Sequence, residues 1–150
     1  MIVAGKIRVQ APLRRVWDVL LEPETLQACI PGAEQIERLD ERHYHVVIKQ
    51  KIGLLAVRFT MRVTLTTVEA PIRLELEGEG VDMGKAGHIV HKTRIDLRET
   101  AGGIAEISYR TDAHIGGALA LFGDRLMQAK AKKVEAEFTR ALQERLSNRA

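Results

Sequence analysis

The chain has 150 residues, 45% of them hydrophobic and 29% charged, and its 23 basic and 20 acidic side chains give a net charge of +3. That length suits one soluble domain able to bury roughly 70% of its unfolded surface. A single cysteine excludes an intramolecular disulfide and a Cys-x-x-Cys zinc pair. The small charge excess and the 4% aromatic content argue against a nucleic-acid surface, and no stretch approaches a membrane span or a signal-peptide core.

Residues 2–9, IVAGKIRV, alternate, with Val3, Gly5, Ile7 and Val9 on one side, and predict a strand. Pro12 then suits the first turn of a helix, on which Val16, Trp17, Leu20 and Leu21 share a side. Pro23 opens a second short helix, with Glu22 and Glu24 near its positive end. Pro31-Gly32 stops that helix in a turn that needs positive φ at the glycine. Cys29 falls at the negative end of the helix dipole, which disfavours a thiolate, so it is read as a small packing residue.

Strands follow. Tyr44, Val46, Ile48 and Ile52 share a face. In LLAVRFTMRVTLTTV the series Leu55, Val57, Phe59, Met61, Val63, Leu65 opposes Arg58, Thr60, Arg62, Thr64. Ile72, Leu74 and Leu76 alternate with Arg73, Glu75 and Glu77, and GHIVHKTRIDLRE and IAEISYRTDAHI continue less cleanly. Gly53, Pro71, the run from Gly78 to Gly87, and Gly102-Gly103 supply the joints. From about residue 117 the period lengthens. Leu119, Phe122, Leu126, Met127, Val134, Phe138, Leu142 and Leu146 mark a helix of about 30 residues, roughly 45 Å long, with Gly123 as its weak point.

One long amphipathic helix needs a surface to bury its stripe, and a meander of about six strands offers one. A sheet curling around a helix longer than the sheet is wide leaves a gap, so an internal pocket is expected. Its apolar wall is assigned to Val57, Phe59, Met61, Leu76, Ile89, Ile107, Leu119, Phe122 and Leu126. Its polar groups are His91, Thr93, Tyr109 and Thr111. A water-satisfied polar spot in a filled core is the competing reading of those four. Gly116, Gly117, Ala118, Ala120 and Gly123 give up packing volume at the helix start, for a ligand mouth or for close helix–strand approach. His43 and His45 point to solvent with no third ligand spaced for a metal. Arg58 and Arg62 are expected to pair with Glu75 and Glu77 across the outer face. The run KAKKVEAEFTR reads as a solvated face. Motifs for nucleophilic, phosphate-binding, zinc-protease or dinucleotide chemistry are missing, and no catalytic residue is assigned.

Four strings carry a family resemblance: APLRRVWDVLLEPETL at 11–26, ACIPGAEQIE at 28–37, GEGVDMGKAGH at 78–88 and IGGALALFGDRLMQAKAKKVEAEF at 115–138. With the element order, they resemble the carbon monoxide dehydrogenase G-subunit family, within the START-like, helix-grip (SRPBCC) superfamily. The resemblance covers nearly the whole chain. It implies an α+β fold: a curved antiparallel sheet of about seven strands wrapped on a long C-terminal helix, with two short helices after the first strand. It also implies a non-catalytic accessory of a molybdenum hydroxylase such as carbon monoxide dehydrogenase, holding a lipid- or quinone-like molecule. Longer members carry a linker and a membrane-seeking segment. Here LQERLSNRA is too polar to insert, so at most peripheral contact at the inner face of the membrane is expected, in a cytoplasmic protein.

The reading is thus a single ligand-binding domain at 1–146 with a polar tail at 147–150. The expected partners are a hydrophobic small molecule, a molybdenum hydroxylase complex and a second copy of the chain, with no metal and no cofactor beyond the bound lipid or quinone. Two other classes stand beside it. One is a START-like cyclase or hydrolase using His91 and Tyr109 as acid–base groups, against which no second ionisable group falls on the inner face. The other is a ligand-free interaction module.

Overall fold

The computed structural model describes residues 1–147. β1 (Ile2–Gln10) is followed by α1 (Leu13–Leu20) and α2 (Pro23–Cys29). Then come β2 (Ala33–Arg38), β3 (His43–Ile52), β4 (Leu55–Glu69), β5 (Arg73–Asp82), β6 (Gly87–Thr100) and β7 (Ile104–Gly117), and α3 (Gly123–Ser147) closes the described chain. The strands form one antiparallel sheet in the order β1-β7-β6-β5-β4-β3-β2. The alternation read from the sequence selects the inner face. Val3, Ile7, Val9, Tyr44, Val46, Val57, Leu65, Leu74, Leu97 and Ile107 are all buried.

Three sealed clusters hold the sheet to the helices. Val16 and Trp17 of α1 pack with Ile7, Val9, Ile107, Leu142 and Leu146 at one end. Ile36, Tyr44, Val46 and Leu65 form a second cluster near α2. Ile52, Val57 and Leu119 form a third at the opposite end. Cys29 is 4% exposed inside the first cluster, and burial pushes its thiol pKa up.

Several expectations change. The long helix starts at Gly123, because Gly117 (φ +77°) and Gly123 (φ +76°) isolate Ala118–Phe122 as a 3-10 turn. Ile72 falls in the turn after the cis Ala70–Pro71 bond and is 47% exposed. Arg58 and Arg62 do not pair with Glu75 and Glu77. The β4–β5 register sets Arg62 opposite Glu79 and Glu77 opposite Thr64, and past a shift between Leu65 and Thr67 it sets Glu75 opposite Thr67. Arg58 instead clasps Glu34 with two hydrogen bonds of 2.6 and 3.2 Å, and Glu77 meets Lys92 at 3.8 Å. Of the tail expected at 147–150, Ser147 ends α3 and residues 148–150 lie outside the described residues.

Both sheet edges receive side chains from helices. On the β1 edge, Gln128 donates to the Ile2 carbonyl and Lys132 to the Ala4 carbonyl, the latter at 3.0 Å. The Gln10 amide donates to Gln143 at 2.7 Å. On the β2 edge, Gln27 donates to the Glu34 carbonyl and accepts from the Ile36 amide, at 2.9 and 3.3 Å. Exposed edges template unwanted pairing, and these side chains occupy part of the free backbone groups on each edge. Residues 128, 132, 135, 139 and 143 therefore form a polar stripe at helical spacing beside β1. α3 makes its closest strand approach to β1 rather than to the middle of the sheet.

Candidate functional site

With α3 leaning on β1, the centre of the inner face is only half covered. Phe59 and Met61 on β4, Leu76 on β5, Ile89, His91 and Thr93 on β6, and Tyr109 and Thr111 on β7 all face it, and all are half-buried. Phe122 reaches the same side from the 3-10 turn and is half-buried as well. The other expected wall residues lie elsewhere in the packing. Val57 (1% exposed), Ile107 (3%) and Leu119 (0%) belong to the sealed clusters, and Leu126 is 37% exposed. A cavity of about 150 Å³ opens between β7 and the start of α3, lined by Ala113, Ile115, Leu119, Ala120, Gly123 and Met127 among others. Gly116 and Gly117 instead serve close approach. A Cβ on Gly117 would lie 2.7 Å from the Gly87 Cα.

Two polar groups sit in this apolar setting, and each uses a glycine on the neighbouring strand. His91 lies opposite Gly78 in the β5–β6 register, and a Cβ there would fall 2.2 Å from the His91 Nε2. His91 Nδ1 contacts Thr93 Oγ1 at 3.1 Å, and Thr93 Oγ1 shares a 2.9 Å hydrogen bond with Thr111 Oγ1. Desolvation lowers the His91 pKa, so the imidazole is neutral near pH 7. Tyr109 lies opposite Gly5 on β1, and a Cβ there would fall 2.1 Å from Glu135 Oε1 and 2.8 Å from the tyrosine hydroxyl. That hydroxyl donates to Glu135 of α3.

Glu135 is the ionisable group that strand parity did not place on this face. Its position in the stripe 128-132-135-139-143 was the available signal, as was the presence of glycine inside strands at 5 and 78. Burial first, and then the Glu135 hydrogen bond and charge, raise the Tyr109 pKa well above the ordinary phenol range. A folded pKa above the unfolded one means the folded state keeps a proton that the unfolded chain has lost. Stability therefore falls as pH rises past about 10, by at most about 1.4 kcal/mol per pH unit and less where solvent screens the ring. Urea midpoints followed from about pH 9 to about pH 11 should drop more steeply in the wild type than in Tyr109→Phe. Equal slopes would place the titration elsewhere.

Two of the other histidines have single polar partners. His43 Nδ1 contacts Asp40 at 2.8 Å and His45 contacts Thr60 at 3.1 Å. Among the described residues, no group of three or more His, Cys, Asp or Glu could hold a metal ion. None of their helices is long and apolar enough to cross a membrane.

The fold is that of several solved structures. A conserved protein from Geobacillus kaustophilus matches with a TM-score of 0.90 at 22% identity, over 99% of this chain and 96% of that one. A START superfamily protein from Mycobacterium smegmatis matches at 0.72 with 10% identity, over 99% of both chains. The Zhui aromatase/cyclase from Streptomyces sp. R1128 matches at 0.69 with 16% identity, over 99% and 94%. At these identities the likeness establishes a START-like helix-grip fold and nothing finer. No curated protein matches the sequence significantly. The family model of the carbon monoxide dehydrogenase G subunit (CoxG) matches residues 5–147, and the chain belongs to that family.

Proposed function

We propose that this chain is a non-catalytic accessory protein that holds a hydrophobic small molecule between its sheet and α3. The observation that carries the reading is the His91–Thr93–Thr111 chain, set in a half-covered apolar face. The site's polar groups are a neutral imidazole and hydroxyls, with the Glu135 carboxylate already engaged by Tyr109. Among the described residues, none of the polar groups of this face is a cation that could pair with a fatty-acid carboxylate, and an unpaired buried charge is costly. A quinone or another apolar molecule with neutral oxygens fits these groups better. The same features weaken an acid–base role, because a phenol whose pKa lies far above neutrality is a poor proton donor or acceptor there.

The partner enzyme in this reading, a molybdenum hydroxylase, rests on the family. Peripheral contact with the inner membrane face is supported by one end of the molecule. There Leu54, Met83 and Leu121 are 98%, 61% and 88% exposed. The segments that carry them adjoin, since the Leu119 amide donates to the Ala86 carbonyl and a Cβ at Gly53 would touch Phe122.

Native mass spectrometry of gently purified protein tests the ligand claim. The wild type should retain a quinone-sized adduct or take one up when offered. Phe59→Asp and Met61→Asp should lose it while keeping the wild-type circular dichroism, because a carboxylate in the apolar wall opposes an apolar guest. A wild type that binds neither quinones nor fatty acids would sink the reading, and the ligand-free module would take its place.

A further inference from the structure

The outer face of the sheet, opposite the proposed ligand site, carries a groove of about 500 Å³ across β3–β6. Its floor includes Val81 and Val90, 54% and 47% exposed, and its lining includes His45, Arg62, Glu79 and His88. Part of this face uses its charges in pairs. Arg73 meets Asp96 at 2.9 Å, Arg98 meets Glu106 at 2.9 Å, and Lys92 meets Glu77 at 3.8 Å. Arg62 and Glu79 are directly opposite in the β4–β5 register, yet among the described residues neither side chain has an ion pair or a hydrogen bond. Opposite charges so placed attract one another across strands, and here both stay available to a partner. Two large aliphatic side chains in a groove beside two unused opposite charges form an apolar centre with a charged rim, the anatomy of a protein contact.

We infer that this groove receives a second copy of the same chain, packed sheet on sheet about a twofold axis. The order of the residues favours a copy over an unrelated partner. One row across the sheet reads His45, Arg62, Glu79, Val90. A twofold axis parallel to the strands and midway between β4 and β5 turns this row onto itself in reverse. Arg62 of one copy then faces Glu79 of the other, twice, and His45 faces Val90. The next row places Thr60 opposite Val81, and the same axis lays each valine over a threonine of the other copy. A surface whose charges complement its own twofold image is what a closed isologous dimer requires. Aligned sheet packing supplies the geometry at a spacing of about 10 Å. The proposed ligand face stays on the outside of such a dimer, so this contact and the ligand site stand or fall separately.

Sedimentation velocity at micromolar concentration tests the contact. The wild type should sediment as a dimer of the 16.8 kDa chain. Val81→Asp should give monomers, and Arg62→Glu should raise the dimer dissociation constant by about tenfold or more, because it sets glutamates against glutamates. The double exchange Arg62→Glu with Glu79→Arg should restore the dimer, because it returns opposite charges to the contact between copies. Circular dichroism of each variant separates dissociation from unfolding, and Glu79→Arg alone provides a second single variant should Arg62→Glu misfold. A monomeric wild type, a dimer indifferent to Arg62→Glu, or a folded double variant that stays monomeric would each overturn the proposal.

Discussion

Gly78→Val should weaken binding of a quinone-type ligand by about tenfold to a hundredfold while the protein stays folded, the loss expected when one or two hydrogen bonds go unmade. The new side chain would begin 2.2 Å from His91 Nε2, and other atoms of the ring lie 2.8 and 2.9 Å away. The imidazole must leave its place over β5, and its link to Thr93 and Thr111 goes with it. Valine is favoured in strands and glycine is not. If Gly78 had no task beyond strand formation, the change would stabilise β5 and leave binding alone. The two accounts thus predict opposite outcomes. Fluorescence titration with a quinone analogue reads the affinity, and thermal denaturation reads the stability. Unchanged affinity with a raised melting temperature would remove His91 from the site.

Gly32→Ala should cost about 3–5 kcal/mol, combining left-handed backbone strain with a steric clash. In a chain of this size that lowers the melting temperature by roughly 6–20 °C. Gly32 sits at φ +78°, and its carbonyl accepts from the Lys49 amide at 2.8 Å. A Cβ there would lie 2.0 Å from the Lys49 carbonyl oxygen, a backbone atom that cannot rotate away. The Pro-Gly turn is therefore pinned against β3, which gives a physical reason for the Cys-Ile-Pro-Gly string to mark the family. Urea denaturation at neutral pH measures the loss. A cost below about 1 kcal/mol would show that the turn relaxes freely.

Much of the fold was legible because its signals are periodic and local. Val57 to Leu65 alternate strictly, and Tyr44, Val46, Ile48 and Ile52 keep one parity, as a strand with one wet and one dry face requires. Pro12, Pro23 and Pro31-Gly32 mark helix and turn boundaries through backbone geometry that no neighbour can override. The inward polar series His91, Thr93, Tyr109, Thr111 follows from parity alone, and those residues do share one face.

Parity does not report the partner across a strand. Arg58 pairs with Glu34 because of strand order and an irregular register on β2, neither visible in either segment alone. The helix start moved because apolar residues at 119 and 122 fit helical spacing equally well in a 3-10 turn, while the φ values at Gly117 and Gly123 depend on how the turn meets β6. Glu135 was hidden for a related reason. α3 carries an apolar stripe and a polar stripe, and composition points the first inward and the second to water. Docking beside β1 turned the polar stripe toward the sheet instead, onto the strand's free carbonyls and the Tyr109 hydroxyl.

From residue order alone came the family, the element sequence and the face of every long strand, since these depend on side-chain type and spacing along one chain. Register, edge capping and the glycine–imidazole and glycine–carboxylate contacts depend on which distant backbones come within a few ångströms. Gly78 beneath His91 and Gly5 beneath Glu135 are packing relations between segments far apart in sequence. Hydrogen bonding and exclusion act at contact distance, so the chemistry of the candidate site took shape only when the strands and α3 met.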